Sequence, residues 1–109
     1  MRVKVSGKQV QIGETLPAGV RVRLTDAVAK HFDGGADANV VFSHDGPFYR
    51  VDCTVHLDSH TVIQSEGEGA DAHRAFDAAF LHIEAQLRRY KRKLKNHHAK
   101  ARARVRAAA

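Results

Sequence analysis

Polar and apolar residues alternate from the first positions of the chain. Val3 and Val5 sit between Arg2, Lys4 and Ser6, the period-two pattern of a strand, and Gly7 ends it. Thr15 is placed to cap a helix, with Pro17 tolerated in its first turn. Leu16, Val20, Leu24, Ala27, Val28 and His31 then fall on one helical face about 120° wide, which predicts an amphipathic helix. Asp33-Gly34-Gly35 supplies a stop and a turn.

Val40, Val41 and Phe42 mark a second strand, and His44-Asp45-Gly46-Pro47 a tight turn after it. The third strand is the clearest element. Tyr49, Val51, Cys53, Val55 and Leu57 point one way and Arg50, Asp52, Thr54, His56 and Asp58 the other, so only one sheet face is covered. Asp58-Ser59-His60 turns the chain into a fourth strand around Thr61–Glu66, where the pattern leaves open whether Val62 or Ile63 points inward.

A long helix is predicted to begin near Asp71. Phe76, Phe80, Ile83, Leu87, Tyr90 and Leu94 fall within about 40° of one line on it, forming an apolar seam. Residues 71–98 as helix span about 42 Å, whereas an eight-residue strand spans about 26 Å. More than about 10 Å of helix should therefore overhang the sheet, and the overhanging turns are those from Arg88 to Lys95. The order β-α-β-β-β-α, with a right-handed crossover and two hairpin turns, predicts an α+β two-layer sandwich. Its four-stranded mixed sheet carries both helices on one face. Residues 1–98 form the expected domain, and the Ala/Arg-rich stretch 99–109, which has no apolar stripe, is expected to be a frayed or disordered tail.

Charge sharpens this picture. The net charge is +6, but residues 1–69 hold 7 Lys+Arg against 9 Asp+Glu, while residues 70–109 hold 11 against 3. Ten basic residues and no acidic one lie between Gln86 and Arg106. Solvated helices usually mix both signs to gain pairing along the face, so the block points to a polyanionic partner. Arg88, Arg89, Lys91, Arg92, Lys93 and Lys95 fill the circumference left by the seam, and Arg23 and Lys30 share an edge of the first helix. Such clusters hold phosphates by Coulomb attraction and counterion release. The five Phe and two Tyr mostly fall on apolar faces, which disfavours base stacking and favours the backbone of folded RNA.

Other chemistries are poorly supported. One cysteine, Cys53, allows no internal disulfide, and no apolar run suggests a signal peptide or a membrane span, so cytoplasm is the expected compartment. Cys53, His56 and His60 read C-x2-H-x3-H, yet an offset of three in a strand puts Cys53 and His56 on opposite faces, so no metal is expected. His31 reads as a core-edge histidine and His97-His98 as solvated or phosphate-facing. Gly67-Glu68-Gly69 lacks the lysine of a phosphate loop and carries a carboxylate that repels anions. No carboxylate pair or nucleophile motif indicates an enzyme, and no cofactor is expected.

Asp71-Ala72, Ala75-Phe76-Asp77-Ala78-Ala79, the run Gln86-Leu87-Arg88-Arg89-Tyr90-Lys91-Arg92-Lys93-Leu94-Lys95, the closing His97-His98 and the opening Val5-Ser6-Gly7-Lys8 together resemble the ribosome hibernation-promoting factors, also called ribosomal subunit interface proteins or ribosome-associated inhibitors. The resemblance covers residues 1–98. It implies a fold similar to double-stranded-RNA-binding domains and docking on small-subunit rRNA near the decoding region, where messenger and transfer RNA are blocked. By the same resemblance rRNA contacts fall to Arg88, Arg89, Lys91, Arg92 and Lys95, with Arg23 and Lys30 in second rank. The partner is then the small ribosomal subunit, with no membrane and no small-molecule substrate, and the isolated domain is expected to be monomeric. Long family members add a C-terminal domain that pairs ribosomes, and no such segment is present in these residues. Two other readings remain: a generic double-stranded RNA or DNA binder using the same helix, and a module that binds an acidic protein.

Overall fold

The computed structural model describes the backbone of residues 1–32, 34–57 and 60–108, and side chains as far as Arg92. The turn residues Asp33, Asp58 and Ser59 and the side chains of Lys93, Leu94, Lys95, His97 and His98 lie outside the described residues. The elements are β1 (Arg2–Gly7), α1 (Thr15–His31), β2 (Ala36–Asp45), β3 (Phe48–Leu57), β4 (Val62–Gly69) and α2 (Ala72–Ala108). The sheet order is β1-β2-β3-β4, with β1 parallel to β2 and the other pairs antiparallel. This is the predicted α+β sandwich.

Alternation decides which strand residues meet the helices. Ala38, Val40 and Phe42 of β2 and Val51, Cys53, Val55 and Leu57 of β3 are buried in one core with Val20, Leu24 and Val28 of α1 and Phe76, Ile83 and Leu87 of α2. In β4 it is Ile63 that points inward, 4% exposed, while Val62 is 50% exposed. The inward positions after Ile63 are Ser65, Gly67 and Gly69, all small, and this lets α2 approach closely. A side chain at Gly67 would collide with the Ala75 carbonyl and the Ala79 amide of α2. The Ser65 hydroxyl donates to the Ala79 carbonyl oxygen at 2.8 Å.

Helix termini follow local chemistry with one correction. Thr15 is not the N-cap of α1: Glu14 is, without a side-chain cap bond, because the first helical hydrogen bond runs from the Ala18 amide to the Glu14 carbonyl. Pro17 therefore sits third in the helix, where its missing N–H leaves no intrahelical bond unmade. Asp71 opens α2 by accepting from the Arg74 amide at 2.8 Å, the N-cap arrangement. The backbone of α2 is helical through Ala108. Alanine and arginine are the dominant residues there and both rank among the best helix formers.

Candidate nucleic-acid interface

The seam of α2 runs out before the helix does. Ala75, Phe76, Ala79 and Phe80 cover the sheet, and among the described residues Leu87 is the last fully buried one on α2, at 0% exposure. One residue earlier, the Gln86 side-chain amide donates to the Gln64 carbonyl near the start of β4 at 2.7 Å. Here the sheet ends. The next seam residue, Tyr90, packs on Phe32, just past the end of α1, with ring centroids 5.8 Å apart. From Tyr90 to Ala108 the helix continues for about 27 Å, an overhang longer than the minimum the sequence required.

The basic residues divide into three groups. Arg88, Arg89 and Arg92 are exposed, and among the described residues no carboxylate forms an ion pair with them. Lys91 is half-buried and reaches back to α1, its ammonium donating to the Lys30 carbonyl oxygen at 3.5 Å. This contact brings exposed Lys30 beside the basic turns of α2. Arg23 is held apart. Its guanidinium donates to Asp77 at 2.5 Å and lies over the Phe80 and Phe76 rings, 4.4 and 5.1 Å from their centroids. Lys95 lies outside the described residues.

The joint between the helices contains a residue that sequence reasoning placed only at the core edge. The half-buried His31 ring is kept below the usual histidine range, first by burial and then by the positive charges of Lys91, Lys30 and Arg88, against which Glu84 acts weakly. Its Nδ1 is sealed from solvent without a hydrogen-bond partner among the described residues. Its place directly after Lys30, in the last turn of α1, was the available signal.

The uncovered sheet face has the opposite character. Arg50 is enclosed by Asp52 at 3.2 Å and Glu66 at 2.9 Å. Glu68 hydrogen-bonds Asp45, and that bond, followed by the Asp45 charge, holds the Glu68 carboxyl above its ordinary range. A polyanion is repelled there and attracted at the helical edge. Cys53 faces the core and His56 the opposite face, and burial pushes the Cys53 thiol up to about 12. Among the described residues no three metal-ligating side chains gather, and no helix is long and apolar enough to cross a membrane.

The architecture is that of a two-layer α+β domain with a projecting cationic helix. The family model described as "Sigma 54 modulation protein / S30EA ribosomal protein" matches residues 3–95, and the chain belongs to that family. It is 44% identical over 98 residues to a ribosome hibernation promotion factor of Rhizobium meliloti, covering 90% of this chain and 52% of the relative. It is 38% identical over 100 residues to a protein of the same name from Bradyrhizobium diazoefficiens, covering 92% and 49%. The chain thus spans about half the length of these relatives. Among solved structures, the N-terminal domain of Thermus thermophilus Protein Y superposes with a TM-score of 0.74 at 28% identity, covering 83% of this chain and 99% of that one. A ribosomal subunit interface protein from Coxiella burnetii shares the fold, with a TM-score of 0.67 at 22% identity, covering 84% and 98%.

Proposed function

We infer that this chain binds the small ribosomal subunit in the cytoplasm through the rRNA backbone and holds the ribosome inactive, acting as a binding domain and not as an enzyme. The observation that carries this reading is the set of exposed cations Arg88, Arg89 and Arg92, without an ion pair among the described residues, on a helix that overhangs its own sheet. Lys30 and Lys91 extend the set to the end of α1, and Lys95 continues it in sequence. Arg23 contributes least, since Asp77 and two aromatic rings already hold it. The names of the relatives, ribosome hibernation promotion factors, support the ribosome as the polyanion.

Docking near the decoding region, in the channel used by messenger and transfer RNA, accounts for inactivation without catalysis. Phosphate contacts fix position and carry no base sequence, which suits a partner whose RNA is folded and invariant in shape. Co-sedimentation with purified small subunits, in competition with free RNA duplex at physiological salt, tests the reading. Retention on subunits despite excess duplex, together with loss of messenger RNA binding, is the expected result. Equal partition between subunits and duplex identifies a generic duplex binder instead.

A further inference from the structure

We propose that His31 is a further RNA-contacting residue, the proton-accepting member of a phosphate site formed with Lys30, Arg88 and Lys91 where the two helices meet. The proposal rests on the reading of the basic edge as the rRNA-binding surface and names a ligand that the charge pattern alone does not show.

Four observations converge on it. The Lys91 ammonium bonds the Lys30 carbonyl oxygen at 3.5 Å, so the two cations that flank His31 come from different helices and are joined across the gap. Among the described residues, His31 Nδ1 is sealed within the joint without a hydrogen-bond partner, which leaves Nε2 of the half-buried ring as the nitrogen that can meet a phosphate. The charged groups acting on the ring are Lys30 from α1 and Lys91, Arg88 and Glu84 from α2, three positive and one negative. Tyr90, also on α2, packs on Phe32, the residue next to His31.

In the free chain burial first, and then this field, opposes a proton on the imidazole, which favours the neutral ring beside three cations. A phosphate seated among Lys30, Arg88 and Lys91 reverses the field. The ring then takes one proton from solvent and becomes a fourth cation, with N–H groups on both nitrogens. The 3.5 Å Lys91 bond is at the long limit of hydrogen bonding and is easily exchanged for a phosphate oxygen. Binding and protonation are thereby linked: the bound ring has the higher pKa, so affinity rises as pH falls through the histidine range.

The test uses the full chain and purified small subunits at constant ionic strength, at about pH 5.5 and about pH 7.5. The parent should bind more tightly at the lower pH, by at most about tenfold for each unit separating the bound and free pKa of the ring. His31→Gln should lose most of that difference, while other histidines contribute equally to both proteins. Proton uptake on binding, measured by calorimetry in two buffers of different ionisation enthalpy, should fall in the variant. Equal pH dependence and equal uptake in parent and variant would overturn the role of His31 while leaving ribosome binding intact. Absence of binding by the parent at both pH values would instead remove the rRNA reading itself. An NMR titration of His31 in the free chain gives an independent check. Arg88→Gln should raise the ring's pKa, and an unchanged value would show that the cations do not act on it.

Discussion

Arg23 and Asp77 meet across the two helices, Nη1 to Oδ1 at 2.5 Å, with the guanidinium 4.4 Å from the centre of the Phe80 ring. Both side chains remain about half exposed, 44% and 57%, so the pair contributes little energy but fixes where the guanidinium sits. Arg23→Gln should lower stability by only about 1 kcal/mol, the sum expected of an exposed ion pair and a cation–π contact. Small-subunit affinity should fall less than it does for Arg92→Gln, and the slope of affinity against salt should stay at the parent value.

Changing Arg88, Arg89, Arg92 and Lys95 together to Glu should abolish binding to small subunits and relieve inhibition of translation, with the helix content kept. Glu is nearly as good a helix former as Arg or Lys. The matched control is Leu87→Ala in the buried seam, which should cost about 2–5 kcal/mol and weaken binding only through unfolding. Circular dichroism follows the fold and co-sedimentation the binding. A folded four-fold variant that still sediments like the parent would show the basic helix to be a solvated face.

Binding should weaken roughly 10²–10³-fold between about 50 and 200 mM salt if about five phosphates are neutralised. A flat response excludes counterion release as the source of affinity. Removing residues 99–109 should reduce the slope but leave binding measurable, because the exposed cations at Arg88, Arg89 and Arg92 precede that stretch.

Gly67 and Ser65 set the spacing between β4 and α2. Gly67→Ala places a methyl group against the Ala75 carbonyl and the Ala79 amide, and the backbone has to move. A loss of about 1–3 kcal/mol or more is expected from thermal melting. Ser65→Ala should cost about 1 kcal/mol through the missing hydroxyl bond.

Burial holds the Cys53 thiol at about 12 in the folded chain, above the ordinary 9.0. Near neutral pH both states keep the thiol protonated and the stability is unaffected. As pH climbs from 9 towards 12, the unfolded thiol loses its proton while the folded one keeps it, so stability falls. Denaturant melts at pH 7.5 and 10 should show that decline. Iodoacetamide at pH 8.5 should label the unfolded chain readily and the folded chain hardly at all.

The sandwich was legible because period-two alternation in β3 and the 4-3-4-3-4 seam of α2 are both written in consecutive residues. What escaped depended on pairing across distance. Arg23 read as a free cation because Asp77 lies 54 residues away in sequence. The inward side of β4 was ambiguous because Val62 and Ile63 are equally apolar. The deciding positions are the small ones that follow, Ser65 and Gly67, whose meaning depends on how closely α2 packs. His31 read as a core-edge residue on its own helix, and the approach of α2 gives it charged company from a second element, Lys91, Arg88 and Glu84.

The enclosure of Arg50 by carboxylates on the open sheet face acts well before any contact is made. With negative charge on that face and positive charge along α2, the domain carries a lasting charge dipole. In the field of a polyanion such a body feels a torque and turns, helix foremost, once within about a Debye length of it. Fewer collisions are then wasted on the wrong side. On the proposed function the acidic sheet thus shapes the approach without itself touching the RNA.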